Sequence, residues 1–256
     1  MEVLVVGAGA MGRWIGETLR PTFDVAFADR DPDAATAAAD AVGGRAVDPE
    51  TAETFDAVCV AVPISVATDV IATYADRASR ALVDVTGVMA DPVEEMRESA
   101  PDRERASLHP LFAPENAPGN VAAVLDASGP VTSAVFDAIE DAGNHLFETD
   151  VEEHDSAMET VQAGAHTAII AYALAADDVR EEFSTPVSRA LSELVETVTD
   201  GNPRVYREIQ TTFEGAGAVA EAARRVADAD GDTFEALYAE AGDRRDWHRD
   251  REWDEE

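Results

Sequence analysis

The feature that most constrains the fold of this chain is the alternation of short β-rich runs with Ala-rich runs over residues 2 to about 148. This alternation is typical of a parallel sheet with helices packed on both faces. The predicted strands are residues 3–6, 25–28, 45–47, 57–62, 81–85, 106–108, 121–125 and 145–147. The predicted helices between them are residues 11–19, 34–42, 66–78, 92–99 and 132–142.

From Val151 onward the pattern changes, because strand signals stop and only helical runs follow. We therefore predict an α/β fold in two domains. A Rossmann-like, doubly wound parallel sheet occupies residues 1–150, and an all-α domain occupies residues 151–256. The predicted helices of the second half are residues 151–176, 187–198, 203–212, 217–229 and 233–241, and the charged residues 244–256 are interpreted as a frayed or partner-packed end.

A glycine-rich turn joins the first predicted strand to the first predicted helix, with the sequence G-A-G-A-M-G at residues 7–12. Gly7 permits the tight turn, Gly9 lets a pyrophosphate approach the backbone, and Gly12 lets the helix pack on the strand. The helix N-terminus at Ala10 and Met11 favours the negative charge of a phosphate. The turn therefore predicts a dinucleotide-binding site.

Two further segments refine that cofactor site. Asp29 ends the second predicted strand, where a carboxylate binds the adenosine ribose hydroxyls and repels a 2′-phosphate, which favours NAD over NADP. The neighbouring Arg30 is able to hold such a phosphate and keeps NADP open. Val62 and Pro63 follow the fourth predicted strand and are expected to line the nicotinamide side of the crevice.

The charge of the chain is strongly negative, with 53 acidic residues against 19 basic ones and a formal net charge of −34. All the basic residues are Arg, and the acidic residues are spread along the whole chain. Nucleic acid is excluded as a partner because its phosphates would be repelled. A spread acidic surface indicates a protein from a salt-loving organism, since concentrated salt screens self-repulsion.

Cysteine content and hydropathy limit which covalent, metal and membrane features are expected. Cys59 is the single cysteine, so no internal disulfide and no Cys-based metal site is expected, and no other metal site is predicted. Cys59 lies in an apolar run and is interpreted as a buried core residue. No apolar run is long enough to span a bilayer, and the first strand begins almost at Met1, so we expect a soluble, cytoplasmic protein.

His109 is the candidate general base. It lies in S-L-H-P-L-F-A-P-E, residues 107–115, between the cofactor half and the helical half. Oxidation of an alcohol needs a proton acceptor, and histidine usually fills that role near neutral pH. The alternative is a structural role at a strand end before Pro110. By analogy with other dinucleotide enzymes, the helical half is expected to cover the substrate and to form a homodimer.

Several segments, taken in order over about residues 2 to 210, resemble the prephenate dehydrogenase family. Residues 109–114 are similar to its His-Pro-hydrophobic-Phe-Gly-Pro segment, with Ala113 in place of Gly. Residues 61–64 resemble its segment after the fourth strand, and residues 202–206 resemble a later Asp-Pro-x-x-aromatic turn. The run Glu153-His154-Asp155, followed by Gln162 and His166, is similar to its Glu-His-Asp…Gln…His helix.

The resemblance implies NAD-dependent oxidative decarboxylation of prephenate to 4-hydroxyphenylpyruvate in tyrosine biosynthesis, with His109 as the proton acceptor. His154, Gln162 and His166 are then expected to bind the substrate. At about 100° per residue, Asp155, Gln162 and His166 fall on one side of a regular helix. His154 lies off that side and is an alternative anchor for the helix entry.

The chain departs from the family pattern at two places. The Ser-x-Lys element after the fifth strand is replaced by Gly87 and Met89, so Thr86 is expected to take over the support of His109. The substrate-carboxylate Arg falls at about Thr197, and Arg189 on the preceding helix is the replacement candidate because its guanidinium fits a carboxylate bidentately. Arg204 and Arg207 are the next candidates after Arg189, but a surface ion pair is the favoured interpretation of both.

Other functions remain open on the sequence. Ketopantoate reductases and β-hydroxyacid dehydrogenases share the glycine-rich start but use a catalytic Lys, and this chain contains no Lys. Arogenate dehydrogenase differs only in the side-chain amine of its substrate. A non-catalytic dinucleotide-binding regulator, derived from the enzyme, would fit Gly87 and Thr197, whereas His109 with His154, Gln162 and His166 argues for catalysis.

Overall fold

The computed structural model describes residues 1–244, so His248 and most of the predicted charged tail lie outside the described residues. The first part of the chain alternates strands and helices, as predicted. Its elements are β1 (Glu2–Val6), α1 (Ala10–Leu19), β2 (Asp24–Ala28), α2 (Pro32–Val42), β3 (Arg45–Ala46), β4 (Phe55–Val60), α3 (Ala67–Tyr74), β5 (Ala78–Val85), α4 (Ala90–Ser99), β6 (Glu104–Pro110), β7 (Asn120–Ala127), α5 (Pro130–Asp141) and β8 (His145–Glu148).

The rest of the described chain is helical. Its elements are α6 (Val151–Met158), a π-helical segment (Glu159–Gly164), α7 (Ala165–Ala175), α8 (Pro186–Thr199), α9 (Pro203–Thr212), α10 (Gly215–Ala227) and α11 (Gly231–Arg244). Among the helices of residues 1–244, none is long and apolar enough to cross a membrane.

The eight strands form one sheet in the order β3-β2-β1-β4-β5-β6-β7-β8. The six strands from β3 to β6 are parallel, as predicted, whereas β7 runs antiparallel to β6 and parallel to β8, so the sheet is mostly parallel. A parallel connection needs a crossover of about a dozen or more residues, usually through a helix. Residues 111–119 contain only the short 3₁₀ turn Pro114–Asn116, and the chain therefore turns back on itself.

The core lies on both faces of the sheet, because α-helices cover each side. Along β1, Val3 and Val5 point into one apolar cluster, whereas Leu4 and Val6 point into the other. The central strands are therefore continuously apolar rather than alternating. Cys59 on β4 is buried in the first of these clusters, which confirms its interpretation as a core residue.

The chain divides into two compact units. One consists of Met1–Met158 together with Gly201–Phe213, and the other of Glu159–Asp200 together with the chain from Glu214 onward. Helices α6 and α9 thus belong to the unit that contains the sheet, although both lie after residue 150. The sequence boundary between residues 1–150 and 151–256 stays a prediction.

Within the helical unit, the π-helical segment interrupts regular α-helical spacing. It packs against the start of α10, where a Cβ added to Gly215 would lie 1.8 Å from the backbone oxygen of Glu159. Only glycine permits that approach. The uniform step of about 100° per residue, from which a common face for Asp155, Gln162 and His166 was predicted, therefore does not hold across residues 159–164.

Candidate active site

The turn between β1 and α1 is built as a cradle for an anion. Gly7 has φ of +104°, which other residues rarely adopt, and a Cβ on Gly12 would lie 1.8 Å from the oxygen of Gly7. A Cβ on Gly9 would meet nothing within 4 Å, so space remains beside the backbone there. The first turn of α1, beginning at Ala10 and Met11, carries no acidic side chain to oppose a phosphate. These features fit the pyrophosphate of a dinucleotide.

Asp29 lies at the end of β2, directly beside this cradle. Its Oδ2 accepts a hydrogen bond from the backbone N–H of Ala8 at 2.7 Å, and its Oδ1 accepts one from the N–H of Asp31 at 2.9 Å. The carboxylate is only partly buried, and the neighbouring Arg30 is exposed. The structure thus brings the two residues predicted to face the adenosine ribose to the edge of the glycine turn.

Val62 and Pro63 follow β4 at the same edge of the sheet. The Cγ1 of Val62 would lie 3.0 Å from a Cβ on Gly7, so Val62 borders the glycine turn. Pro63 is exposed and precedes the 3₁₀ turn Ile64–Val66. The 3₁₀ turn is held by α9, because Ser65 Oγ donates to Glu208 Oε1 at 2.8 Å. This role of Glu208 was not predicted from the sequence.

His109 lies near the carboxyl end of β6, beside the end of β5. In parallel sheets, ligands bind at this edge, and the glycine turn after β1 opens onto the same edge. The His109 side chain is 7% exposed. The segment that follows it is anchored by Phe112, whose ring packs edge-on against Trp14 of α1 with centroids 5.4 Å apart.

A chain of three side chains leads away from His109. His109 Nδ1 lies 2.9 Å from His154 Nε2, and His154 Nδ1 lies 2.7 Å from Asp155 Oδ1. Asp155 in turn accepts hydrogen bonds from the backbone N–H groups of Met89 and Ala90, both at 3.1 Å, where α4 begins. The base candidate on β6 is thereby connected through α6 to the N-terminus of α4.

The surroundings of His109 keep its imidazole neutral at physiological pH. Burial, followed by the nearby His154, lowers the pKa of His109 to about 3, although the Asp155 carboxylate acts in the opposite direction. For Asp155, burial raises the pKa, but the hydrogen bonds from His154, Met89 and Ala90 outweigh it and leave the pKa below its usual value. His109 is thus a neutral imidazole, which is the form that accepts a proton, and Asp155 is a carboxylate.

Thr86 follows β5 and is buried. Its Oγ1 forms a short hydrogen bond with Asp84 Oδ2 and donates to the carbonyl of Val88 at 3.0 Å. Burial raises the pKa of Asp84 to about 7, and the hydrogen bonds with Thr86 reduce that rise. A Cβ on Gly87 would lie 3.5 Å from His109 Nε2, so the position at which the resemblance implies a Ser faces the base candidate.

Met89 and Thr197 stand where the resemblance implies a Lys and an Arg, and the two side chains differ in burial. Met89 is fully buried in the apolar core, so it replaces a cation by a packing residue. Thr197 is exposed on α8, with its hydroxyl bonded to the carbonyl of Glu193. Arg204 pairs with the buried Glu208 at 2.8 Å, which confirms its interpretation as an ion-pair residue.

The remaining predicted substrate residues lie in the helical unit. Gln162 is in the π-helical segment and His166 is on α7, and both are partly buried. Burial lowers the pKa of His166. Arg189 is exposed on α8, which begins with a capping box between Thr185 and Ser188.

The pairing of His109 with His154 was not predicted from the sequence. His154 was assigned to substrate binding or to the helix entry, whereas the structure places its buried ring against the base candidate. The two residues are 45 positions apart, on a strand and a helix, so no local periodicity connects them. The motif Glu153-His154-Asp155 was the one available signal.

The chain is similar to known dehydrogenases in sequence. Residues 16–126 match the family model described as the nucleotide-binding domain of prephenate dehydrogenase. The 4-amino-4-deoxyprephenate dehydrogenase of Streptomyces pristinaespiralis is 31% identical, over 93% of this chain and 88% of its own length.

Solved structures give the same fold. Prephenate dehydrogenase from Aquifex aeolicus, in complex with hydroxyphenyl propionate and NAD+, superposes with a TM-score of 0.69 at 17% identity, over 95% of this chain and 97% of that one. Arogenate dehydrogenase from Synechocystis superposes with a TM-score of 0.66 at 16% identity, over 97% of this chain and 100% of that one. The sequence match to the Streptomyces enzyme extends over both units, and with it this chain belongs to the prephenate dehydrogenase family of oxidoreductases.

Proposed function

We propose that this protein catalyses the NAD-dependent oxidative decarboxylation of prephenate to 4-hydroxyphenylpyruvate, in the cytoplasm and in tyrosine biosynthesis. The observation that carries the proposal is the neutral, buried His109 at the same sheet edge as the glycine cradle. A base and a dinucleotide site at one edge are what alcohol oxidation requires.

The chemistry divides between the cofactor and the protein. A bound NAD would supply the hydride acceptor. His109 accepts the proton of the ring hydroxyl at C4 while that carbon is oxidised, and loss of carbon dioxide from C1 then aromatises the ring. Because aromatisation supplies much of the driving force, the protein mainly orients the substrate, stabilises charge and takes one proton. Thr86 is proposed to support His109 indirectly from the end of β5, since its hydroxyl is hydrogen-bonded to Asp84 and to the carbonyl of Val88.

Substrate binding needs cations, since prephenate is a dianion and the chain has a net charge of −34. We assign the carboxylate anchor to Arg189 and further contacts to Gln162, His166 and His154. Exposure of the Arg189 guanidinium supports its availability for a bidentate pair. Replacement of Arg189 by Ala is expected to raise the KM for prephenate with little change in the KM for NAD. An unchanged KM for prephenate in initial-rate measurements would move the anchor to another residue.

The preference for NAD over NADP rests on the position of Asp29. Its carboxylate lies beside the glycine turn, and a 2′-phosphate there would meet a like charge. Arg30 is the residue that would oppose this preference.

A homodimer through the helical region is part of the proposal. Several large apolar side chains of the helical unit are exposed, among them Leu174 at 84% and Tyr238 at 74%. None of the residues of the apolar helix α7 is buried. Exposed apolar surface of this kind is typical of subunit interfaces. Sedimentation equilibrium at molar KCl would give the mass, and a monomer at micromolar concentration would contradict the dimer.

A second candidate substrate carries an amine at C4 in place of the hydroxyl. The observation that favours it is the sequence match to a 4-amino-4-deoxyprephenate dehydrogenase. A neutral imidazole is able to take a proton from an ammonium group as well as from a hydroxyl. Arogenate, which differs from prephenate in its side-chain amine, is a third candidate and is the substrate named for a structural neighbour.

The test is reduced-cofactor formation at 340 nm in molar KCl. Prephenate, arogenate and 4-amino-4-deoxyprephenate are compared in parallel, each with NAD and with NADP. Turnover of prephenate at the highest kcat/KM is expected, and a higher value for either of the other two would reassign the substrate. Cofactor binding without turnover of any of the three would favour the non-catalytic regulator.

A further inference from the structure

The starting point is the N-terminus of α4, where two backbone N–H groups point at one carboxylate. Met89 N–H donates to Asp155 Oδ1 and Ala90 N–H donates to Asp155 Oδ2, both at 3.1 Å. A backbone N–H only donates, so both oxygens of Asp155 are acceptors here. The start of a helix also favours negative charge. Asp155 is therefore held as a carboxylate.

Because both oxygens of Asp155 accept, the donor and acceptor roles along the chain Asp155–His154–His109 are assigned from Asp155 outward. Since Asp155 Oδ1 accepts, His154 Nδ1 must be the donor across the 2.7 Å contact. In its neutral form His154 carries one N–H, on Nδ1, and its Nε2 is then an acceptor. His109 Nδ1 must then donate to it across 2.9 Å, which leaves His109 Nε2 as the nitrogen with the lone pair.

The orientation of His109 agrees with this assignment. Its Nδ1 points back towards His154, which is 2% exposed. Its Nε2 points towards Gly87, where a Cβ would lie 3.5 Å away. The nitrogen that accepts is thus on the side of the ring where the backbone carries no side chain.

We propose that Asp155 and His154 are positioning residues, which fix the tautomer of His109 so that Nε2 accepts the substrate proton and which stabilise the imidazolium formed by that transfer. The proposal rests on the function proposed above. In the transfer, the proton of the substrate joins His109 Nε2, and His109 keeps its Nδ1 proton in the hydrogen bond to His154. The ionisable groups hydrogen-bonded to His154 are His109 from β6 and Asp155 from α6, and α4 contributes the two backbone N–H groups that donate to Asp155.

The test compares His154→Phe, His154→Gln and Asp155→Asn with a matched control, Glu152→Gln, on the exposed side of the same helix. Phe removes the acceptor for His109 Nδ1, whereas Gln offers its carbonyl oxygen in that place. The first readout is independent of catalysis: ¹⁵N NMR of the His109 ring in the full-length protein without substrate. We expect a protonated Nδ1 in the parent and in His154→Gln, and a population with protonated Nε2 in His154→Phe.

The second readout is kinetic. In His154→Phe we expect kcat to fall about 100-fold or more with NAD binding unchanged, and His154→Gln to recover part of the loss. In Asp155→Asn we expect kcat to fall and the acid limb of kcat/KM to move to lower pH, because the carboxylate that raises the pKa of His109 is gone. If Asp155 only held α6 against α4, its replacement would leave the acid limb of the kcat/KM profile at the same pH.

Two results would overturn the proposal. One is a protonated Nε2 on His109 in the parent protein. The other is a kcat in His154→Phe within twofold of the Glu152→Gln control. If the NMR result is as expected but no substrate is turned over, the tautomer assignment stands and the proposed function fails.

Discussion

A histidine acting as a base has to be neutral when its substrate arrives, and burial provides this for His109. The same burial makes the imidazolium costly, since a charged group in an apolar surrounding loses hydration. The Asp155 carboxylate offsets part of that cost. It is connected to His109 by two successive hydrogen bonds through His154. At the scale of single residues, the site therefore depends on a balance between desolvation and one carboxylate.

Replacement of His109 by Asn removes the base but keeps an amide able to donate to His154. We expect kcat for the preferred substrate to fall about 100- to 10,000-fold, the usual contribution of a general base, with NAD affinity unchanged. Initial rates and a fluorescence titration with the cofactor measure the two quantities. His145→Asn, an exposed histidine at the start of β8, is the control. A kcat similar to the parent's would remove His109 from its assigned role.

The lowered pKa of His109 predicts the acid side of the pH profile. Neutral imidazole is the active form, so activity is lost only as pH falls through the pKa of the folded protein, which lies below the ordinary value of 6.5. We expect kcat/KM, which reports the free enzyme, to be flat from about pH 8 down to below pH 6. A limb centred near pH 6.5 at constant molar KCl would contradict this expectation.

At the scale of elements, glycine has two different roles in the β1–α1 turn: Gly12 permits close backbone packing, and Gly9 leaves space for a ligand. A Cβ on Gly12 would collide with the backbone of Gly7, whereas a Cβ on Gly9 would enter open space. We therefore expect Gly12→Ala to lower the melting temperature by several degrees, and Gly9→Ala to fold normally but to raise the KM for NAD about tenfold or more. Thermal melts and initial rates distinguish the two variants. Equal behaviour of the pair would argue against a pyrophosphate at Gly9.

The elements themselves were largely predictable from the sequence. All eight strands and the helices between them follow from runs of β-branched and Ala-rich residues, and α9 at Pro203–Thr212 begins where Asn202 and Pro203 predict a helix start. The direction of β7 was missed, because periodicity reports which residues form a strand and not how it pairs. The π-helical segment was missed because close packing of Gly215 against Glu159, rather than local propensity, accompanies it.

At the scale of the whole molecule, the net charge of −34 is expected to determine how thermal stability depends on salt. We expect the melting temperature to rise by about 5 °C or more between millimolar and molar KCl, corresponding to about 2 kcal/mol for a chain of this size. The Debye length falls to about 3 Å at 1 M salt, so repulsion among 53 acidic residues is screened. Circular dichroism melts in a KCl series test this, with sucrose as an uncharged control. Full and unchanged stability down to millimolar salt would remove the halophilic interpretation.

The candidate site was predictable in part. The glycine turn, Asp29 and His109 are each marked by a local pattern of residue types, and the structure brings them to one edge of the sheet. The partners of His109 were not marked in this way. His154 and Asp155 act through contacts that join β6, α6 and α4, and such contacts depend on how the elements pack.

The membership of α6 in the sheet-containing unit bears on how genes of this family can be recombined. A chimaera joined after residue 150, where the sequence pattern changes, would take His109 from one parent and His154 from the other. A junction after Met158 keeps both histidines and Asp155 from the same parent. Exchange of all residues after Met158 would transfer the proposed substrate residues Gln162, His166 and Arg189, but it would also separate α9 from the sheet-containing unit to which it belongs. The useful unit of exchange is therefore Glu159–Asp200 together with the chain from Glu214 onward, with α9 kept from the parent that supplies the sheet.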